Sequence, residues 1–170
     1  MSFRELALTF DAQVSPVEAA WAYEVAVNDP DAELELFLNL AVLYFGCADF
    51  GYAAHHHLSE AFVSGAWTRA FEILKKAEEK FGTQTELEFW RLYFSFVHLD
   101  DESIHTACRE LADRKDSLVP YLYLFTASEK KEHLKEAREL FESVKDGTTE
   151  RKRYIKSVLE SAIEVTADAT

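Results

Sequence analysis

His55, His56 and His57 stand side by side, and imidazole is the side chain most used to ligate transition metals and to move protons near neutral pH. Adjacent residues of an α-helix project about 100° apart, so three in a row cannot close on one ion without ligands from elsewhere. Glu102 and His105 form a Glu-x-x-His pair, the spacing at which a carboxylate and an imidazole share one helix face in carboxylate di-iron bundles. Such a centre needs a second copy, and no other histidine of the chain has a glutamate three residues before it. His105 and Cys108 also share a face, but two ligands are half a site. G-x-G-x-x-G, G-x-x-x-x-G-K and G-x-S-x-G do not occur, so neither a phosphate cradle nor a nucleophile elbow is written in the chain. A helical metal-binding protein or enzyme using Glu102, His105 and the His55–His57 run is therefore an alternative. The primary expectation is a non-enzyme with no catalytic residue, no metal and no cofactor.

Charge narrows the partners. The 170 residues carry a formal net charge of −13, so the average surface repels a nucleic-acid backbone. Residues 1–68 hold one base, Arg4, against ten acids; 69–129 hold eight against twelve; 130–170 hold nine of each. The N-terminal part should therefore favour cationic partners, with solubility alone as the competing reading of the same charge. The basic run Arg151, Lys152, Arg153 and Lys156 could touch RNA, but on one helix of an acidic chain it reads as a solvated face, and no nucleic acid is expected. Two cysteines make no disulfide framework, and Glu5 interrupts the start where a signal peptide has its apolar core, so a cytoplasmic address is expected.

These residues must be positioned by helices. With 48% hydrophobic and 14% aromatic residues, three prolines and five glycines, the chain has a sizeable core and few helix breakers. Glu86 to Leu99 is apolar on every face, with Leu87, Phe89, Trp90, Leu92, Tyr93, Phe94, Phe96, Val97 and Leu99, which predicts a central helix packed on several sides. Residues 32–47 are similar. Their acids, their length and their lack of basic flanks exclude a membrane span, which needs roughly 20 apolar residues. Helix starts are expected at Ser2 with Glu5, at Ser15 with Pro16 and Glu18, at Thr83 with Glu86, and at Asp100–Glu102. Residues 47–52 read as a loop, 53–64 as a short helix, Gly65 as a turn, and 67–81 as a helix stopped by Gly82. Further helices are expected over about 120–128, 129–146 and 149–165, with a frayed tail at 166–170.

The apolar triplet i, i+4, i+7 recurs as Leu36, Leu40, Leu43; Ala70, Leu74, Ala77; Ile104, Cys108, Leu111; and Ala137, Phe141, Val144. Their starts are 34, 34 and 33 residues apart, a fixed period that signals a helical solenoid of two helices per unit.

Residues 67–82, WTRAFEILKKAEEKFG, and 133–147, HLKEARELFESVKDG, resemble the second helix of a tetratricopeptide repeat, with Ala70 and Ala137 at the small position where the two helices touch. Trp90, Tyr93 and Phe96 resemble the first helix of the related half-a-tetratricopeptide repeats. The pattern departs from the family at Glu24, Leu58, Leu92 and Phe125, where a small residue is usual, and at Ala48, Gly82, Asp116 and Thr149, where the family often has proline after the second helix. The resemblance implies an all-α, right-handed α-α superhelix of about four helix pairs: units 16–48, 52–82, 85–116 and 118–147, a capping helix over 149–165, and one domain over 1–165. It also implies an adaptor or chaperone-like protein holding a segment of another protein in a concave groove. By register the groove-facing residues are Glu18, Trp21, Tyr52, His55, Ser59, Glu86, Phe89, Tyr93, Leu122 and Thr126. Aromatic rings beside carboxylates suit a peptide with basic and apolar side chains. The competing reading for Trp21, Phe89, Tyr93 and Leu122 is simple core, and a further alternative for the chain is a homodimer formed through an open aromatic face.

Overall fold

The computed structural model describes residues 1–128 and 132–168, with side chains through 165. The chain is 76% helix, with no strand among the described residues. Among the described residues ten helices follow one another: α1 (Phe3–Ala12), α2 (Pro16–Ala26), α3 (Leu34–Cys47), α4 (Phe50–His55), α5 (Glu60–Phe81), α6 (Thr85–Leu99), α7 (Ile104–Asp113), α8 (Pro120–Ala127), α9 (Leu134–Val144) and α10 (Glu150–Asp168). No helix of the described residues is long and apolar enough to cross a membrane. The contacts divide the chain into two compact units. The first holds Met1–Gly82 with Thr148–Arg151, and the second holds Thr83–Gly147 with the chain from Lys152 onward.

In the first unit α3 is the hub, packed against α2, α4 and α5, while α1 pairs with α2. Every residue of α3 from Leu36 to Phe45 is buried, which is what apolarity on all faces demands. Phe37 meets Phe81 edge-on at 5.5 Å, and Phe45 meets Trp67 at 5.4 Å. Each such side chain stabilises the core by about 1.5–3 kcal/mol through removal of apolar area from water. The start of α1 is the reciprocal cap that Ser2 and Glu5 predict: the Glu5 amide donates to Ser2 Oγ at 3.2 Å and the Ser2 amide to Glu5 Oε2 at 2.7 Å.

In the second unit α6 packs on α7 and α8, α7 on α8, and α8 on α9. Phe89, Trp90, Phe94, Ile104, Cys108, Leu122 and Phe125 fill its core, and Tyr154 of α10 donates to or accepts from Tyr93 through hydroxyls 2.8 Å apart. Each repeated triplet falls on one helix (α3, α5, α7 and α9), and all of its members are buried except the half-buried Phe141.

Several helix limits differ from expectation, for local reasons. The expected turn at Gly65 is absent; α5 runs through it, and the break falls at 56–59. There His57 adopts φ +53°, and Ser59 Oγ caps α5 by accepting from the Phe62 amide at 3.3 Å. An interior glycine costs about 1 kcal/mol in a helix, less than is returned by burying Ala66, Ala70, Ile73, Leu74 and Ala77 on the same helix. Only 48–49 separate α3 from α4, and Asp49 caps the latter. Ser15 makes no capping hydrogen bond, so Pro16 alone marks the start of α2. The Thr83 and Glu86 cap does not form either; α6 opens at Thr85, which is buried. The acids at 100–102 end one helix rather than start the next: Asp100 takes φ +56°, and the Asp101 carboxylate accepts from the Ser103 amide at 3.0 Å, as short acidic side chains do in turns. Gly82, at φ +71°, stops α5 as expected. Residues 129–131 of the expected 129–146 helix lie outside the described residues, and α9 is shorter. The terminal helix persists to Asp168, past the expected start of fraying, and residues 169–170 lie outside the described residues.

Candidate functional site

The second helix is apolar nearly all round, and its two faces differ in size. Ala19, Ala20, Ala22, Tyr23 and Ala26 are buried, and the four alanines among them let α1 and α3 approach closely. The opposite stripe, Val17, Trp21 and Val25 at i, i+4 and i+8, is exposed to 44%, 52% and 37%. Phe3 of α1, 41% exposed, meets the Trp21 ring edge-on with centroids 5.5 Å apart. Phe3, Val17, Trp21 and Val25 thus place four large, exposed apolar side chains on α1 and α2.

Carboxylates border the patch. Glu18 is exposed beside Trp21, and the Glu24 carboxylate accepts a hydrogen bond from the Tyr44 hydroxyl. Burial and this carboxylate together push the Tyr44 phenol well above its ordinary range. Past Phe3 and Val25 the patch opens into a cleft of about 610 Å³, which Asp29, Asp31 and Glu33 also line. Arg4 spans its rim, 2.9 Å from Glu33. The loop that supplies these acids is clipped by Lys80, whose ammonium donates to the carbonyls of Asp29, Pro30 and Ala32 at 3.2, 2.9 and 3.0 Å and lies over the rings of Phe37 and Phe81. The apolar face and the acidic cleft are thus held side by side.

Beneath the patch lies a buried polar cluster. Asp11 Oδ2 accepts from the Tyr23 hydroxyl at 2.8 Å, and Oδ1 accepts from the Glu150 amide at 2.7 Å, so a carboxylate of α1 caps the start of α10. Arg151 donates from Nε to Asn39 Oδ1 at 2.9 Å and from a terminal nitrogen to Glu35 at 3.2 Å. Desolvation, with Asp11 beside it, raises the Tyr23 phenol far above its usual value. Arg151 is 8% exposed, which corrects the expectation of a wholly solvated basic run. Nothing local in the sequence pairs residue 11 with residue 150, and this cluster was not foreseen.

The residues expected in the groove scatter. Glu18, Trp21, Tyr52, His55 and Ser59 belong to the first unit and Glu86, Phe89, Tyr93, Leu122 and Thr126 to the second. Glu18, Trp21 and His55 are exposed; Tyr52 is half-buried, its hydroxyl donating to Glu150 at 3.3 Å; Ser59 serves as a cap. Phe89 and Leu122 are fully buried and Tyr93 nearly so, so these three are core, the alternative that the sequence left open for them. Glu86 is half-buried, and the Thr126 hydroxyl is turned back to the Leu122 carbonyl at 2.7 Å. Phe3, Val17 and Val25 went unnamed, although the spacing of Val17, Trp21 and Val25 marks one helix face.

The histidine run does not converge. His55 ends α4, His56 is its cap and His57 turns the chain, and no group of three or more His, Cys, Asp or Glu side chains among the described residues could hold a metal ion. Cys47 and Cys108 are free and buried, and desolvation pushes each thiol up to about 12. Set against protein-family models, curated proteins and solved structures, the chain matches none.

Proposed function

We propose that the protein is an adaptor or chaperone-like binding module, without enzymatic activity, that holds a basic and apolar segment of another protein on the α1 and α2 face. The observation that carries this reading is Trp21 standing half-exposed, braced by Phe3 and continuous with Val17 and Val25, beside Glu18 and the Asp29, Asp31 and Glu33 cleft. An amphipathic helix or strand would lay its apolar side chains on the aromatic pair and its lysines or arginines over the carboxylates. Self-association through the same patch is disfavoured by charge, because each copy carries −13 and brings acids to the contact. The tetratricopeptide-like solenoid remains part of the proposal, supported by the period near 34 and by the burial of the triplets. The two unpaired, buried thiols support a reducing, cytoplasmic address.

A fluorescence titration with a synthetic lysine- and leucine-rich amphipathic peptide tests this. Trp21 is the most exposed of the three tryptophans, so docking should shift emission to the blue with a micromolar Kd that weakens several-fold from 50 to 300 mM salt. A glutamate- and leucine-rich peptide should not bind. No emission change, or equal affinity for both peptides, contradicts the reading; concentration-dependent dimers in sedimentation that vanish in Trp21→Ala would assign the face to self-association instead.

A further inference from the structure

The second unit carries a polar cleft that the proposed function does not use. His105 and Arg109 lie one turn apart on α7, and the His105 ring packs against Tyr123 of α8, whose hydroxyl is in hydrogen-bond contact with Nδ1 of His105. With Ser128, Glu132 and His133 they line a space of about 290 Å³. Ser128 Oγ accepts from the Glu132 amide at 3.0 Å. His133 occupies the cap position of α9 at φ +65°, its ring 5.4 Å from that of Tyr121, and its side chain does not cap the helix.

Arg109 decides what this cleft suits. Arg4, Arg114 and Arg151 pair with Glu33, Glu88 and Glu35, and Arg69 lies over the rings of Tyr44 and Phe62. Arg109 has no hydrogen bond, ion pair or ring contact among the described residues, in a chain with thirteen surplus acids. A guanidinium keeps its charge throughout the physiological range and offers a planar fork that matches two oxygens of a phosphate or carboxylate. Two imidazoles that can donate and a phenol fixed by one of them line the cleft with it, against Glu132 as the one carboxylate among the described lining residues, with Glu102 close enough for its charge to act on the Tyr123 phenol.

We propose that the His105, Arg109, Tyr123 and His133 cleft binds an oxyanion group, a phosphate monoester or a carboxylate, with Arg109 as the anchor and the two histidines as donors. It is a second site, independent of the α1 and α2 face.

Histidine-ring proton and nitrogen NMR of the full chain tests it, with inorganic phosphate and acetate as probes at ionic strength matched with sodium chloride. Phosphate or acetate should shift the His105 and His133 resonances saturably, with a millimolar Kd, and leave His55, His56, His57 and His98 in place. Whichever anion binds tighter identifies the source. Arg109→Gln should weaken that Kd at least tenfold and Arg109→Lys by less, whereas Arg138→Gln, at an exposed position outside the cleft, should leave it unchanged. Arg109 is exposed, so its variants should keep the helical spectrum of the parent. Shifts produced equally by chloride alone, or an unchanged Kd in Arg109→Gln, would overturn the assignment.

Discussion

The two units differ in what they bury beside their apolar cores and in what they leave outside. The first hides Asp11, Asn39, Glu150 and Arg151 while leaving Phe3, Val17, Trp21 and Val25 in solvent. The second encloses Phe89, Trp90, Phe94 and Phe125 and keeps most of its charges outside, with Val97 and Leu99 at the end of α6 and Val165 of α10 as its exposed large apolar side chains among the described residues. Burying paired charge rarely improves stability over an apolar core of the same volume, and exposing Trp21 forgoes burial energy. Folding alone would favour the arrangement of the second unit. The arrangement of the first is intelligible if the cluster serves to fix α1, α2 and α3, and the outward face of α2 is kept for a partner.

The largest break in this contrast should come from Asp11. Asp11→Ala leaves the Glu150 amide and the Tyr23 hydroxyl buried without their acceptor, and should lower the stability of the first unit by about 3–5 kcal/mol in urea unfolding. A change below 1 kcal/mol would mean that the cluster does not hold the helices.

Alkaline pH acts on both units together. Burial raises Cys47 in the first and Cys108 in the second from 9.0 to about 12, so an unfolded chain sheds these protons before the folded one does. The stability that they contribute is complete below pH 9 and falls as pH rises toward 12, by about 1.4 kcal/mol per pH unit per thiol, with Tyr23 adding to the slope above pH 10. Urea midpoints from pH 8 to 11 should fall accordingly, and a flat profile would contradict the burial of both thiols.

A smaller effect should follow Lys80→Met, which removes three donated hydrogen bonds from an exposed loop. Stability should fall by only about 1 kcal/mol, while amide exchange at 29–33 quickens and affinity for the cationic peptide drops about three- to tenfold. Unaltered exchange would show that the loop holds its shape without the clip.

Both cores were legible because α3 and α6 are apolar on every face, a pattern that permits no solvated side. The Ser2 and Glu5 cap and the Gly82 stop were legible because they are local. Gly65 misled, since the packing of α5 on α3 outweighs a weak helix former, and the acids at 100–102 misled because aspartate closes a turn as readily as it opens a helix. The Asp11 cap of α10 joins segments 139 residues apart, and no short-range pattern records it. At the site, Trp21 was named by resemblance but grouped with Phe89, Tyr93 and Leu122, which are core. An apolar helix does not announce which face it buries, and what settles the matter for α2 is that its alanines permit close packing where Val17, Trp21 and Val25 do not.

The most direct test is Trp21→Ala, read in two ways on one preparation. The account predicts that the urea midpoint stays within about 0.5 kcal/mol of the parent, as for an exposed side chain, while the Kd for the lysine- and leucine-rich peptide rises at least tenfold. A stability loss of more than about 2 kcal/mol, the scale of a buried aromatic, or a peptide Kd that does not move, would contradict it.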